Sequence, residues 1–164
     1  YYMSNCIGED RNAEVVSGNL LTGLKNPYLK ESEFGWQIDP KGLRYTLNQF
    51  YDRWQKPLMI VENGLGAFDT LTEDMKIHDD YRIEYLKQHI IALKETILED
   101  EVEVLGYMPW SFIDLVALST GNIEKRYGFV YIDVNNQQEG TFNRYKKDSF
   151  DWYKEVINTN GEKL

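Results

Sequence analysis

The chain has 164 residues, 42% of them hydrophobic, which is enough for one domain over 1–164 with its own core. Its formal net charge at pH 7 is −9 and no basic tract occurs, so neither nucleic acid nor an anionic membrane is expected as a partner. Cys6 is the only cysteine, which excludes an intrachain disulfide and favours a reducing compartment. The sequence starts at Tyr1 without a methionine, and we expect it to be a piece of a longer protein.

The first half of the chain predicts one helix followed by one buried strand. Asp39 is a good N-cap and Pro40 suits the first helical position, so a helix is expected from there to about residue 54. Spacings of three and four mark its apolar face, which consists of Leu43, Leu47, Phe50, Tyr51 and Trp54. An unbroken apolar run then predicts a strand over 58–62, and residues 1–4 fit the end of an earlier strand.

The second half predicts a helix, a strand and a further helix. They are expected over about 80–98, 102–111 and 149–158. The apolar stripes of the two helices consist of Leu86, Ile90, Leu93 and Ile97 in the first, and Phe150, Tyr153, Val156 and Ile157 in the second. The alternation of strands and helices is typical of an α/β fold with a parallel sheet.

The long irregular stretches are all expected to follow strands. They cover 3–38, 63–78 and 112–146, and in a (β/α) barrel loops of this kind lie on the functional face. Three βα units cannot close a barrel, which needs eight. We therefore expect either a small open α/β domain or the C-terminal three βα units of a TIM (β/α)8 barrel, with sheet edges that favour self-association.

Glu62 is the strongest candidate for a functional residue. It follows the apolar run 58–61 and precedes Asn63-Gly64, so the predicted strand carries a carboxylate at its C-terminal end, where α/β folds assemble their sites. A carboxylate at the end of a buried strand needs polar partners, which favours a functional role. The alternative is an ordinary exit turn with a solvated acid.

The sequence contains no pattern typical of a metal or cofactor site, and no cofactor is expected. His78 and His89 lack an HExxH arrangement and a cysteine partner, so we interpret them as capping or packing residues. No glycine-rich phosphate loop leads from a strand into a helix, and no G-x-S-x-G motif occurs.

Five short motifs follow one another along the chain: GWQIDP at 35–40, IVENG at 60–64, GYMPWS at 106–111, RYGFVYID at 126–133 and KDSFDWY at 147–153. In this order and at these distances, they resemble the C-terminal part of glycoside hydrolase family 1, and within it the bacterial 6-phospho-β-glucosidases. The resemblance covers essentially the whole chain. It implies a retaining mechanism that uses two carboxylates.

The resemblance implies that Glu62 is the catalytic nucleophile and that Tyr2 donates a hydrogen bond that orients it and keeps it ionised. On the residues alone, Tyr2 is equally well interpreted as a half-buried strand tyrosine. The acid/base carboxylate of the family lies in an Asn-Glu-Pro motif, which does not occur in this sequence. The chain alone is therefore expected to be inactive.

The resemblance also implies a sugar-binding tryptophan and a phosphate site. Trp110 would lie under the sugar ring, although without the family a core tryptophan is the simpler interpretation. Ser119, Lys125 and Tyr127 supply a hydroxyl, a cation and a phenol, which a phosphate group needs; the alternative is a solvated polar loop. Since Lys125 and Tyr127 are two residues apart in an extended segment, they point the same way, whereas Arg126 points elsewhere and is able to pair with a structural carboxylate.

Ala117 and Leu118 stand where β-glucosidases of this family that act on unphosphorylated sugars usually carry Glu and Trp. The absence of that carboxylate fits a phosphate at C6. The leading hypothesis is that the full-length protein hydrolyses a phosphorylated disaccharide or an aryl 6-phospho-β-glucoside in a bacterial cytoplasm. Two alternatives stay open, a 6-phospho-β-galactosidase and a non-catalytic fragment that binds phosphosugar or only self-associates.

Overall fold

Short strands and three helices form an α/β fold over the residues that the structure describes. The structure is a computed structural model, and it describes residues 1–9, 14–16, 23–118 and 120–164. Its elements in chain order are β1 (Val15–Val16), β2 (Gly23–Leu24), α1 (Pro40–Trp54), β3 (Leu58–Ile60), α2 (Asp80–Leu98), β4 (Val104–Tyr107), β5 (Val130–Ile132), β6 (Arg144–Lys146) and α3 (Asp148–Asn158).

The chain divides into two compact units. The first unit comprises Tyr1–Asn63 and Gln88–Pro109, and the second comprises Gly64–Lys87 and Trp110–Leu164. The first unit holds α1, β3 and β4, and the second holds β5, β6 and α3. Helix α2 is shared between them, because its residues up to Lys87 belong to the second unit and the rest to the first.

Helix α1 begins and ends where local sequence signals place it. The Asp39 side chain accepts a hydrogen bond from the Gly42 N–H (3.0 Å), and Gln55 ends the helix in a left-handed conformation with φ 47°. Of the predicted apolar face, Leu43 and Leu47 in the first half are buried, whereas Phe50 and Trp54 in the second half are exposed. The reason is length, since fifteen helical residues extend about 22 Å while a strand of three or four residues covers about 10–13 Å.

The core of the first unit lies between its helices and a parallel strand pair. Strands β3 and β4 pair in parallel, with Ile60 opposite Tyr107. Its buried cluster consists of Leu43, Leu47, Ile60 and Leu93, with Tyr1, Leu58, Val104 and Tyr107 packed against it. On the strands, Met59 and Leu105 remain 44% and 67% exposed, and Val61, directly after β3, is 62% exposed.

Both parallel strands are shorter than the predicted 58–62 and 102–111. Pairing ends soon after Tyr107, because Met108 still donates to the Ile60 carbonyl (2.8 Å) but Pro109 has no N–H to continue the ladder. Residues 1–4, expected as the end of a strand, do not form a strand. Among the described residues, β3 and β4 are the only two named strands that pair in parallel, and isolated parallel bridges join Ile77 to Lys147 and Ile113 to Val130.

The second unit contains an antiparallel pair where the sequence predicted only irregular chain. Strands β5 and β6 pair with Tyr131 opposite Tyr145. Helix α3 follows directly and confirms the helix predicted at 149–158; its Tyr153 ring stacks on Phe129 with ring centroids 4.8 Å apart. Ile157, predicted on the buried side of α3, is 64% exposed.

Across the described ranges, every helix is either too short or too polar to cross a lipid bilayer.

Candidate active site

Glu62 lies two residues beyond the end of β3, at the carboxyl end of the parallel pair. Its side chain is exposed, and its Oε2 accepts a hydrogen bond from the Tyr2 hydroxyl over 3.1 Å. The structure therefore brings together the two residues that the resemblance links. The hydrogen bond from the phenol fixes the orientation of the Glu62 carboxylate at this position.

Asn63 holds the main chain on one side of Glu62. Its side chain is fully buried; Nδ2 donates to the Tyr1 carbonyl (2.7 Å), and Oδ1 accepts from the Tyr107 hydroxyl (2.6 Å). The Tyr1 backbone nitrogen in turn donates to the Glu62 carbonyl (3.0 Å). From the sequence, Asn63 was interpreted only as part of a turn; an amide side chain two residues beyond an apolar run was the feature that could have identified this role.

The residues around Tyr2 are fixed to the start of helix α1. The Tyr1 hydroxyl donates to the Asp39 carbonyl (2.9 Å), and Ser4 Oγ donates to the Asp39 carboxylate (2.5 Å). Burial raises the pKa of Tyr1 to about 12, so this phenol stays a neutral donor. The Tyr2 ring packs edge-on against Trp36, with centroids 5.5 Å apart. Helix α1 thus positions the phenol that contacts Glu62.

Lys125 and Tyr127 form a buried pair in the second unit. Lys125 is fully buried and Tyr127 is 6% exposed, and the Lys125 Nζ lies 5.9 Å from the centroid of the Tyr127 ring. Desolvation by burial lowers the pKa of Lys125 to about 8 and raises the pKa of Tyr127. Burial therefore disfavours the charged form of the Lys125 side chain and keeps the Tyr127 phenol protonated.

Arg126 makes different contacts from its two neighbours. Its Nη1 donates to Asp114 (3.2 Å) and to the Ile132 carbonyl (2.9 Å), and its Nη2 donates to the Val134 carbonyl (2.7 Å). The prediction that Arg126 can pair with a structural carboxylate is confirmed. It anchors the segment from which Lys125 and Tyr127 extend.

Trp110 is half-buried and lies beside the loop that follows Glu62. A Cβ atom built on Gly64 would lie 3.4 Å from the Trp110 Cβ and 3.6 Å from Cδ1 of Tyr127, so all three residues are close. Ser119, the third predicted phosphate ligand, lies outside the described residues. Leu118, its neighbour, is 99% exposed.

A buried ionic network supports this part of the second unit. Three carboxylates and three cations take part, all with side chains at most 4% exposed: Asp69, Asp79, Asp114, Arg82, Arg126 and Lys147. Burial alone would raise the pKa of Asp69, but the charges of Arg82 and Lys147 hold it below its usual value. No local sequence pattern indicates this network, because its partners are up to 78 residues apart.

The two histidines have structural contacts. His78 Nδ1 lies 2.6 Å from a carboxylate oxygen of Asp148, the first residue of α3, and this contact raises the pKa of His78. His89 is fully buried, with its ring 6.3 Å from that of Tyr1. The burial of His89 confirms its interpretation as a packing residue, whereas the His78 side chain is 57% exposed and pairs with Asp148 at the surface. In the ranges that the structure describes, no three His, Cys, Asp or Glu side chains are arranged to hold a metal ion.

Comparison with known proteins gives matches along nearly the whole chain. Residues 1–162 match the family described as glycosyl hydrolase family 1. The chain is 61% identical over 165 residues to the aryl-phospho-β-D-glucosidase BglH of Bacillus subtilis (strain 168). It is 56% identical over 169 residues to a 6-phospho-β-glucosidase of Clostridium longisporum. Both alignments cover 100% of this chain but only 35% and 36% of the relatives, so the chain spans little more than a third of their length.

A solved structure shows a similar fold. The β-glucosidase from Thermotoga maritima in complex with castanospermine superimposes with a TM-score of 0.79 at 31% identity. The match covers 98% of this chain and 34% of that chain.

Proposed function

Because the chain belongs to glycosyl hydrolase family 1, we propose that the full-length protein hydrolyses 6-phospho-β-glucosides with retention of configuration at the anomeric carbon. The observation that carries the proposal is the hydrogen bond from Tyr2 to Glu62 at the carboxyl end of β3. The similar proteins of Bacillus subtilis and Clostridium longisporum are named as phospho-β-glucosidases, which supports the substrate class.

In the proposed mechanism, Glu62 acts as the nucleophile. Its Oε1 forms a bond to the anomeric carbon while the glycosidic bond breaks, and a second carboxyl group gives its proton to the leaving oxygen. Water then attacks the glycosyl-enzyme, gives a proton to that second carboxylate and releases Glu62. Tyr2 orients the nucleophile through both steps. The second carboxyl group would come from an Asn-Glu-Pro motif outside this sequence.

Lys125 and Tyr127, together with Ser119, are proposed to bind the 6-phosphate. A buried ammonium whose pKa is lowered by desolvation is stabilised when a phosphate dianion approaches it. The neutral Tyr127 phenol adds a hydrogen-bond donor. Trp110 is proposed to present its indole face to the sugar ring.

The chain is proposed to form one domain that supplies the last three βα units of a (β/α)8 barrel. The exposed Met59, Val61 and Leu105 side chains support this. In a closed barrel, side chains that point inward pack in layers against those of the other strands, so their exposure here fits a barrel that lacks its other strands. On its own, the chain would be inactive, and the same exposed side chains favour self-association.

The substrate is proposed to be a glucoside rather than a galactoside, in keeping with the names of the similar proteins. The proposed location is the bacterial cytoplasm, where a phosphorylated glucoside would be retained because its charge opposes passage through a bilayer.

The proposal is tested with chromogenic substrates and the full-length protein. We expect hydrolysis of the 6-phospho-β-glucoside, much slower hydrolysis of the unphosphorylated glucoside, and loss of both activities in Glu62→Gln. Equal rates on the phosphorylated and unphosphorylated glucosides would exclude the phosphate site. Faster hydrolysis of the 6-phospho-β-galactoside would favour the galactosidase alternative.

A further inference from the structure

The backbone at Gly66 lies directly against Lys125 and Tyr127. A Cβ atom built on Gly66 would lie 2.9 Å from Cγ and Cε of Lys125 and 2.9 Å from Cζ of Tyr127. Carbon atoms in contact are normally about 3.5–4.0 Å apart, so a side chain at position 66 overlaps both residues at once. Only glycine, which has no side chain, fits at position 66 while Lys125 and Tyr127 keep these positions.

The backbone at Gly66 is held on both sides and cannot easily move away. The Leu65 carbonyl accepts a hydrogen bond from Arg82 Nη1 (2.5 Å). Ala67 and Arg126 exchange two backbone hydrogen bonds of 3.0 Å each. The same Arg82 nitrogen also donates to the Arg126 carbonyl (3.2 Å), so one guanidinium joins the loop to the segment that carries Lys125 and Tyr127.

Arg82 is itself fixed by two buried carboxylates. Its Nε lies 2.9 Å from Asp79 and its Nη2 lies 2.9 Å from Asp69, and the exposed fraction of these side chains is at most 1%. A methyl group at position 66 would therefore have to displace the Lys125 and Tyr127 side chains rather than the main chain. Both are buried, so they have little free space to take up the shift.

We propose that Gly66 is a positioning residue that determines selectivity for phosphorylated substrates. Because it has no side chain, the Lys125 ammonium and the Tyr127 hydroxyl can pack against its backbone in the positions they hold here. This inference rests on the proposed phosphate site. Gly66 would not itself touch the phosphate; its role is to set where the two donors lie.

Gly64 provides a steric comparison in the same buried loop. A Cβ there would meet its neighbours only at ordinary contact distances of 3.4 Å and more. Gly64→Ala should therefore alter selectivity less than Gly66→Ala does, although both add one methyl group.

The test measures kcat/KM of the full-length protein on a chromogenic 6-phospho-β-glucoside and on its unphosphorylated counterpart. In Gly66→Ala we expect the ratio of the two values to fall about tenfold or more, a loss typical of overpacking a buried contact. The unphosphorylated substrate should be affected less than about threefold. An unchanged ratio in a folded Gly66→Ala protein would overturn the inference.

A double-variant cycle separates selectivity from folding. Lys125→Ala removes Cγ and Cε, two of the three overlapping atoms, so Gly66→Ala should lower the ratio and the thermal midpoint less in that background than in the natural protein. Equal effects in both backgrounds would contradict the inference even if Gly66→Ala alone folds poorly. If Lys125→Ala alone leaves the ratio unchanged, the proposed phosphate site fails. If Lys125→Ala lowers the ratio and Gly66→Ala does not, only the role of Gly66 fails.

Discussion

The Tyr2 hydroxyl donates a hydrogen bond to Glu62 Oε2 over 3.1 Å, although the two residues are 60 positions apart in the chain. We expect Tyr2→Phe in the full-length protein to lower kcat about tenfold or more, because the proposed nucleophile loses the donor that orients it. Tyr28→Phe is the matched control, since Tyr28 is 92% exposed. Equal kcat values for the two variants would exclude a catalytic role for the contact.

The pKa of Lys125 predicts how phosphate recognition depends on pH. In the proposed phosphate site the ammonium form binds phosphate, so kcat/KM of the full-length protein for the phosphorylated substrate should fall as pH rises through about 8. Below about pH 6 it should fall again, because the phosphate loses its second charge. Lys125→Arg should remove the decline near pH 8, since a guanidinium stays charged there. The same decline with the unphosphorylated substrate would show that a different group titrates.

Lys147 bridges two buried carboxylates, contacting Asp69 and Asp114, the latter at 2.7 Å. Lys147→Met should lower the free energy of unfolding by about 3–5 kcal/mol, because both carboxylates lose a buried partner. Chemical denaturation of the full-length protein measures the loss. Lys163→Met is the control; Lys163 pairs with Glu155 at the surface, so the midpoint should hardly change. A similar shift in both variants would contradict a special role for the buried network.

His78 contributes a pH-dependent contact with Asp148. Its pKa is raised by the hydrogen bond and charge of Asp148, so the contact stabilises the fold fully below the unfolded pKa of about 6.5 and is lost as pH rises through the higher folded pKa. Titration of the His78 ring by NMR should show the raised pKa, and Asp148→Asn should return it towards the ordinary value. An unchanged titration in Asp148→Asn would assign the shift to another cause.

The exposed apolar side chains of the parallel pair predict how the 164-residue chain behaves alone. Light scattering should detect oligomers that Leu105→Lys weakens. Leu98→Lys is the comparison, since Leu98 is 73% exposed at the end of α2 rather than on a strand, and it should have less effect. A monodisperse monomer would contradict the expected association.

The features that could be predicted from the sequence are those encoded locally or by family motifs. Asp39 and Pro40 mark the start of α1 because a cap acts within a few residues, and the apolar run before Glu62 marks β3. The contact of Glu62 with Tyr2 was predicted from the resemblance alone, because no local pattern links residues so far apart.

The features that could not be predicted depend on distant pairings. Strands β5 and β6 have only three residues each, which is too short for an alternation of apolar and polar residues to indicate a strand. Each is stabilised by pairing with the other. The Asp69–Arg82–Lys147 contacts join segments separated by intervening loops, and charged residues in a sequence are normally expected at the surface. The close approach at Gly66 is likewise visible only once Lys125 and Tyr127 have been placed against it.

The buried ionic network of the second unit is balanced, because its three acids and three bases cancel. The chain's net charge of −9 is therefore carried by the remaining residues, most of whose charged side chains face water. The net negative charge of this part of the protein would repel a phosphorylated sugar as it diffuses in, and the proposed phosphate site at Lys125 would attract it at short range. Higher ionic strength should then speed the encounter while it weakens the bound state, so the two effects oppose each other in the overall affinity.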